Sequence, residues 1–260
     1  MNGEETAKDI LLTNINPDSI DTIQVSRKSG DILFKKEKNK WFMQKPYHLL
    51  ANPVRINSML ELLKVHSHTQ LNKKDVELNR LKLDAPEVSI RFNKLRIDFG
   101  DTSPLDEQRY VLVDDNVHLI NDSLYPQLTA SATFFLNNAL LPQDSKITAI
   151  TFPNHTLKQQ DGVWKLEPET NLSGDDIIRM VAAWQKLEAI SVRAYKKGES
   201  SGTIKIEMKN HDPIDFIIVS PPPQLILARE DIGIQYHISG YDTDRLFPEK
   251  ANPDKPPARH

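Results

Sequence analysis

Eight histidines and no cysteine set the terms for any metal chemistry in this chain. A site without thiolates needs imidazoles helped by carboxylates, brought together on one helix face, one strand face or one hairpin. Two places come near. His66-Ser67-His68 is an H-x-H pair, which aims both rings one way on a strand but not at a helix end. The amphipathic run before it reads as a helix, so the pair reads as a solvated helix end, where imidazole complements the negative pole of the dipole. His118 and His237 fall at matched places in two similar stretches. Each sits on an alternating strand between apolar neighbours, with its ring expected on the polar face of the sheet. No Asp/Glu/His trio is spaced to complete a site around either.

Other residue types carry less. Asp114-Asp115 and Asp242-Thr243-Asp244 lack the glycine and terminal Glu of a calcium loop. Trp41 and Trp164 are of the type that stacks on sugar rings, but a large ring just after a turn reads as an anchor at the core or its edge. Trp184 lies on an apolar helical stripe and reads as core. There is no G-x-S-x-G elbow, P-loop, H-E-x-x-H or dinucleotide fingerprint. Nine glycines leave little material for a phosphate cradle. The reading assigns no catalytic residue, no cofactor-binding residue and no metal ligand.

The elements that carry these residues occur twice. Ile20, Ile23 and Val25 match Ile147, Ile150 and Phe152, and Trp41 with Pro46 matches Trp164 with Pro168. Asn52, Ile56, Met59, Leu60 and Leu63 match Ser173, Ile177, Met180, Val181 and Trp184. Farther on, Val88, Ile90 and Phe92 match Ile204, Ile206 and Met208. Leu95, Ile97 and Phe99 match Ile214, Phe216 and Ile218, and Leu119 matches Ile238. The offset is constant inside each element and changes only between elements, where loops differ in length. A period of roughly 120 residues is too long for a solenoid and reads as a duplicated domain.

Each copy opens with short strands broken by turn residues, Ser29-Gly30-Asp31 and Gln160-Asp161-Gly162. A capped helix follows. Asn52 with Pro53 starts one over about 52–66, and Ser173 with Asp176 starts the other over about 173–189. Behind each cap the apolar residues fall on one stripe, so each helix covers one side of a sheet. Further alternating strands follow, with Asp114-Asp115-Asn116 as a hairpin turn and Pro221-Pro222-Pro223 as a loop. The expected class is α+β, a tandem duplication of a module with an antiparallel sheet and one main covering helix. The expected divisions are a polar N-terminal segment over 1–14, a first repeat over 15–143, a second over 144–249 and a Pro-rich disordered tail over 250–260. The link between the copies is expected over 139–146.

A net charge of -3 and a pI near 6.2 give no concentrated basic face, so nucleic acid is not an expected partner. No run approaches the ~18 apolar residues that would span a bilayer, and the acidic, polar start is unlike a signal peptide.

Several of these pieces resemble the bacterial family known as domain of unknown function 4340. They are Leu12-Thr13 through Pro17-Asp18-Ser19-Ile20, Trp41 with Lys45-Pro46, the capped Leu-rich helix, and Leu81 to Pro86. Arg109-Tyr110-Val111 and Val117-His118-Leu119-Ile120-Asn121 complete the set. The family usually has Gly where Lys82 stands. The resemblance implies an envelope protein, some relatives being similar to auxiliary components of ABC-type or gliding-motility-like systems, and it brings no catalytic residues. The resulting expectation is a non-catalytic interaction or accessory module with other envelope proteins as partners. It is expected to be periplasmic, held at the inner membrane by an N-terminal anchor that precedes this chain. Alternatives stay open: a ligand binder or enzyme with a site between the copies, a carbohydrate binder, and a cytoplasmic location.

Overall fold

In the computed structural model, which describes residues 10–67, 69–104 and 108–248, the alternating segments become antiparallel sheet throughout. The first half runs β1 (Ile10–Leu11), β2 (Thr22–Arg27), β3 (Ile32–Glu37), β4 (Lys40–Lys45), β5 (Leu49–Leu50), α1 (Pro53–Glu61), β6 (His66–Ser67) and β7 (Gln70–Asn72). It continues with β8 (Val88–Phe92), β9 (Leu95–Thr102), β10 (Gln108–Val113), β11 (Asn116–Asn121) and a short α2 (Tyr125–Thr129). Nine of these strands form one sheet in the order β5-β4-β3-β2-β8-β9-β10-β11-β7, while β1 pairs with β6.

The second half runs β12 (Ile147–Thr151), β13 (Thr156–Gln160), β14 (Val163–Glu167), α3 (Gly174–Gln185), β15 (Ser191–Ala194) and β16 (Thr203–Met208). Then come β17 (Ile214–Ser220), β18 (Ile226–Arg229), β19 (Ile234–His237) and α4 (Gly240–Thr243). Its eight strands are ordered β14-β13-β12-β16-β17-β18-β19-β15. In each sheet a three-stranded meander stands beside four further strands, and a short strand that follows the helix takes the far edge. The protein is thus mostly antiparallel sheet with few helices.

Local chemistry explains the punctuation. Lys38 and Asn39 between β3 and β4, and Asp161 and Gly162 between β13 and β14, all have positive φ, as two-residue hairpin turns require. The Asn52 side chain accepts the Val54 N–H at 3.0 Å, with Pro53 at the first helical position. At α3 the cap is reciprocal: the Ser173 hydroxyl accepts the Asp176 N–H at 3.2 Å, and the Asp176 carboxylate accepts the Ser173 N–H at 3.1 Å. The helices bury Ile56 and Met59 in one case and Ile177, Met180, Val181 and Trp184 in the other. Trp184 is 0% exposed and its indole N–H reaches the Leu246 carbonyl at 2.8 Å, so its one polar atom is satisfied.

Four boundaries differ from the expected ones. Helix α1 ends at Glu61 and tightens into a 3-10 turn over Leu62–Lys64, well before residue 66. The cause is a distant partner: Leu12 donates to the Val65 carbonyl at 2.8 Å, and Leu11 pairs with His66. That pairing also places Ile10 and Leu11 in a two-stranded sheet, with Leu12 buried, although the sequence marks them as part of a polar leader. The chain divides between Asn137 and Asn138. Residues 139 and 140 are not free connection, because Ala139 bridges Glu188 and Leu140 donates to the Leu187 carbonyl at 3.1 Å. Helix α3 stops at Gln185. The tail over 250–260 and the start over 1–9 lie outside the described residues.

The turn that leads into β8 is clamped against β9. Asp101 donates to the Leu81 carbonyl at 2.8 Å. A Cβ on Gly100 would stand 2.3 Å from that carbonyl oxygen and 2.9 Å from Leu83. Lys82, at the apex, has φ 54°, the left-handed region where glycine carries no steric cost. Two substitutions therefore move opposite ways. Gly100→Ala is expected to cost about 1–3 kcal/mol through overpacking against fixed backbone. Lys82→Gly is expected to be neutral or to gain up to about 1 kcal/mol, since the Lys82–Asp101 pair it removes is solvent-exposed. Urea unfolding of both variants checks this; a clear loss with Lys82→Gly would contradict it.

Candidate functional site

The histidines do not assemble. His66 is exposed on β6, opposite Leu11 rather than at a helix end, and His68 lies outside the described residues. His118 is 3% exposed. It pairs across the ladder with Val111, which pairs in turn with Phe99, and directly opposed residues share a face. Its ring is therefore on the core face, not the polar one. On β19 the buried Tyr236 opposes buried Leu227, while His237 opposes Ile226 and Ser191 on the other face. So His118 and His237 are not structural equivalents. The β10–β11 turn is two residues long, whereas the β18–β19 connection carries a 3-10 turn over Glu230–Ile232, and a one-residue slip reverses a strand's faces. Burial lowers the pKa of both imidazoles, helped at His237 by the charge of Arg193, and pushes the Tyr236 phenol up to about 12.

Trp41 and Trp164 stand two residues from buried Met43 and Leu166, on the same side of their strands, and are partly exposed at the core edge. Asp115 binds Lys73 Nζ at 2.5 Å, and Asp242 accepts the Ser239 hydroxyl at 2.7 Å in the cap of α4. No group of three or more His, Asp or Glu side chains converges as a metal site among the described residues.

One cluster escaped the sequence reading. Arg109, at the head of its motif, pairs with Asp122 at 2.7 Å while the two side chains are only 12% and 18% exposed. Its guanidinium lies 3.7 Å from the Tyr125 ring centroid and donates to the Gly100 carbonyl and, at 3.2 Å, to Thr102 Oγ1. The cluster ties β9, β10, the end of β11 and α2 together. Nothing in the sequence pointed to Asp122 or Tyr125 as its partners.

The open surface lies elsewhere. On the outward face of the second sheet, Thr151, Lys205 and Asp215 stand opposite one another across β12, β16 and β17, with Thr203 opposite Ile217. The turn after β18 adds Glu230 and Asp231, and together they line a hollow of about 840 Å³. Two of its carboxylates are held from the rim. Arg229 Nε donates to Asp231 at 2.8 Å, and the hydrogen bond keeps that carboxyl below its ordinary range. Lys197 Nζ holds Glu230 at 2.8 Å. A narrower groove of about 420 Å³ lies between α3 and α4, floored by Ala182, Ala183, Leu187 and Leu246.

The burial of His118 carries a pH signature. A folded-state pKa below the unfolded value of about 6.5 means the unfolded chain binds the proton more readily, so stability is full above that value and falls as pH drops through it. In urea titrations from pH 7 to pH 5, His118→Leu should lose less stability than the native chain. Equal slopes would show that His118 charges without cost.

No curated protein and no solved structure matches the chain. A family model described as Domain of unknown function (DUF4340) matches residues 41–200, from Trp41 through the Arg109 motif and α3 to the segment beyond β15. The match covers more than half of the 260 residues, and the chain belongs to the DUF4340 family.

Proposed function

We propose that this chain is a non-catalytic interaction module of the bacterial cell envelope, accessory to an ABC-transporter-like or cell-surface assembly. The observation that carries the reading is the hollow on the outward face of the second sheet. It is wide and open, with an apolar part from Pro213, Ile214 and Ile217 among hydroxyls, a lysine and three carboxylates, two of which are held by Arg229 and Lys197. Asp231, kept below its ordinary range by Arg229, is a fixed negative point beside apolar surface, a combination that suits docking of a polypeptide. Two modules whose strand orders correspond, apart from the extra β5 of the first, also fit a scaffold that presents surfaces, and we infer from that correspondence a duplicated unit. The envelope location, with attachment through a segment preceding this chain, rests on the family resemblance. No helix among the described residues is long and apolar enough to cross a membrane.

The test is a photo-crosslinking amino acid at Thr203 in the native protein in its own cells. The expected result is a covalent adduct with an envelope protein that disappears when Asp215→Lys reverses a charge in the hollow, with the module itself fractionating with the periplasm and inner membrane. A cytoplasmic fraction, or no adduct together with saturable binding or turnover of a small molecule, would contradict the proposal.

A further inference from the structure

The outer edge of the second sheet differs from its counterpart in the first. In a hairpin closed by a two-residue turn, the flanking pair is hydrogen-bonded and the pairs then alternate. From the Gln160–Val163 pair, the residues of β14 whose backbone groups point away from β13 are Trp164 and Leu166. The same count from Glu37–Lys40 turns the backbone of Trp41 and Met43 outward on β4. There the first module closes its own edge: Ala51 donates to the Trp41 carbonyl at 2.8 Å, and β5 pairs Leu49 with Met43. On β14, by contrast, neither Trp164 nor Leu166 makes a backbone hydrogen bond outside its own hairpin among the described residues.

The side chains of β14 say what fits this edge. Lys165 and Glu167 are exposed on the outward face, with Val163 63% exposed beside them, and neither charge forms an ion pair among the described residues. Lys165 stands directly opposite Lys158, a like-charge pair. An antiparallel strand whose Leu166 faces this Leu166 would set Lys165 against Glu167 and Glu167 against Lys165. A second copy of β14 meets both demands at once. The register centred on Lys165 would instead oppose two lysines, and the one centred on Trp164 would leave Lys165 opposite Val163.

We propose that β14 is a self-pairing edge, through which two copies of this chain join about a two-fold axis in the Leu166-centred antiparallel register. The two Leu166 residues exchange N–H to C=O bonds and the two lysine–glutamate pairs fix the alignment. The contact is short, so the dimer is reversible, as expected of a small interface. Charge governs it, and both residues are exposed enough to change without disturbing the core.

Sedimentation velocity over the micromolar to millimolar range tests this on the full chain, with circular dichroism confirming that each variant keeps the fold. The native chain should show a reversible monomer–dimer equilibrium. Lys165→Glu and Glu167→Lys, each of which turns both cross-strand pairs repulsive, should each weaken it roughly tenfold or more. The double variant, with the charges exchanged, should recover dimerisation. A native chain that stays monomeric throughout, single variants that dimerise as the native chain does, or a double variant no stronger than the singles would each overturn the proposal.

Discussion

An open antiparallel sheet ends in two strands whose outward N–H and C=O groups find no partner in the ladder, and each end must be closed, hidden or used. Both halves of this protein work within that constraint. In the first, the chain leaves β4 and returns at once as β5, the Ala51–Leu136 bridge extends the cover, and Asn52 donates to the Phe135 carbonyl at 2.7 Å before its side chain caps α1. Closing the edge and starting the helix are one structural event. In the second, the chain passes from β14 to α3 without an intervening strand, and the backbone of β14 keeps its outward groups. The far edges are handled alike: a short strand, β7 or β15, arrives after the helix and pairs with the last long strand.

Within the first sheet, a half-buried cation ties separate elements together. Arg109 sits on the core face of β10 and uses carboxylate, backbone carbonyl, hydroxyl and aromatic ring together. A guanidinium so placed is stabilising only because each donor has a partner, and removal of Asp122 would leave a buried charge uncompensated. Gly100, whose carbonyl it binds, is also the residue against which the Leu81–Leu83 turn closes. Arg109 and the Leu81–Leu83 turn thus meet at one glycine and hold the same part of the first sheet.

What the sequence made legible follows from range. Strand periodicity, the Asn52 and Ser173 caps and the hairpin turns are written in neighbouring residues, and the structure places them where those residues stand. The end of α1 was not legible, because it is decided by Leu11 and Leu12 far upstream in the chain. Nor was the face of His118: alternation fixes which residues share a face, but the connection before the strand decides which face is buried. Arg109 on β10 and Asp122 just after β11 are thirteen residues apart, and the hollow gathers Thr151, Lys205, Asp215 and Asp231 from separate segments. Such juxtapositions exist only once the register is set.

The claim that the second sheet keeps a usable edge is tested most directly by amide hydrogen exchange in β14 as a function of protein concentration. The account predicts that the Leu166 amide exchanges quickly in dilute solution, faster than the Met43 amide of β4, and slows as concentration rises. A Leu166 amide that is already protected at high dilution, or whose exchange does not change with concentration, would contradict it.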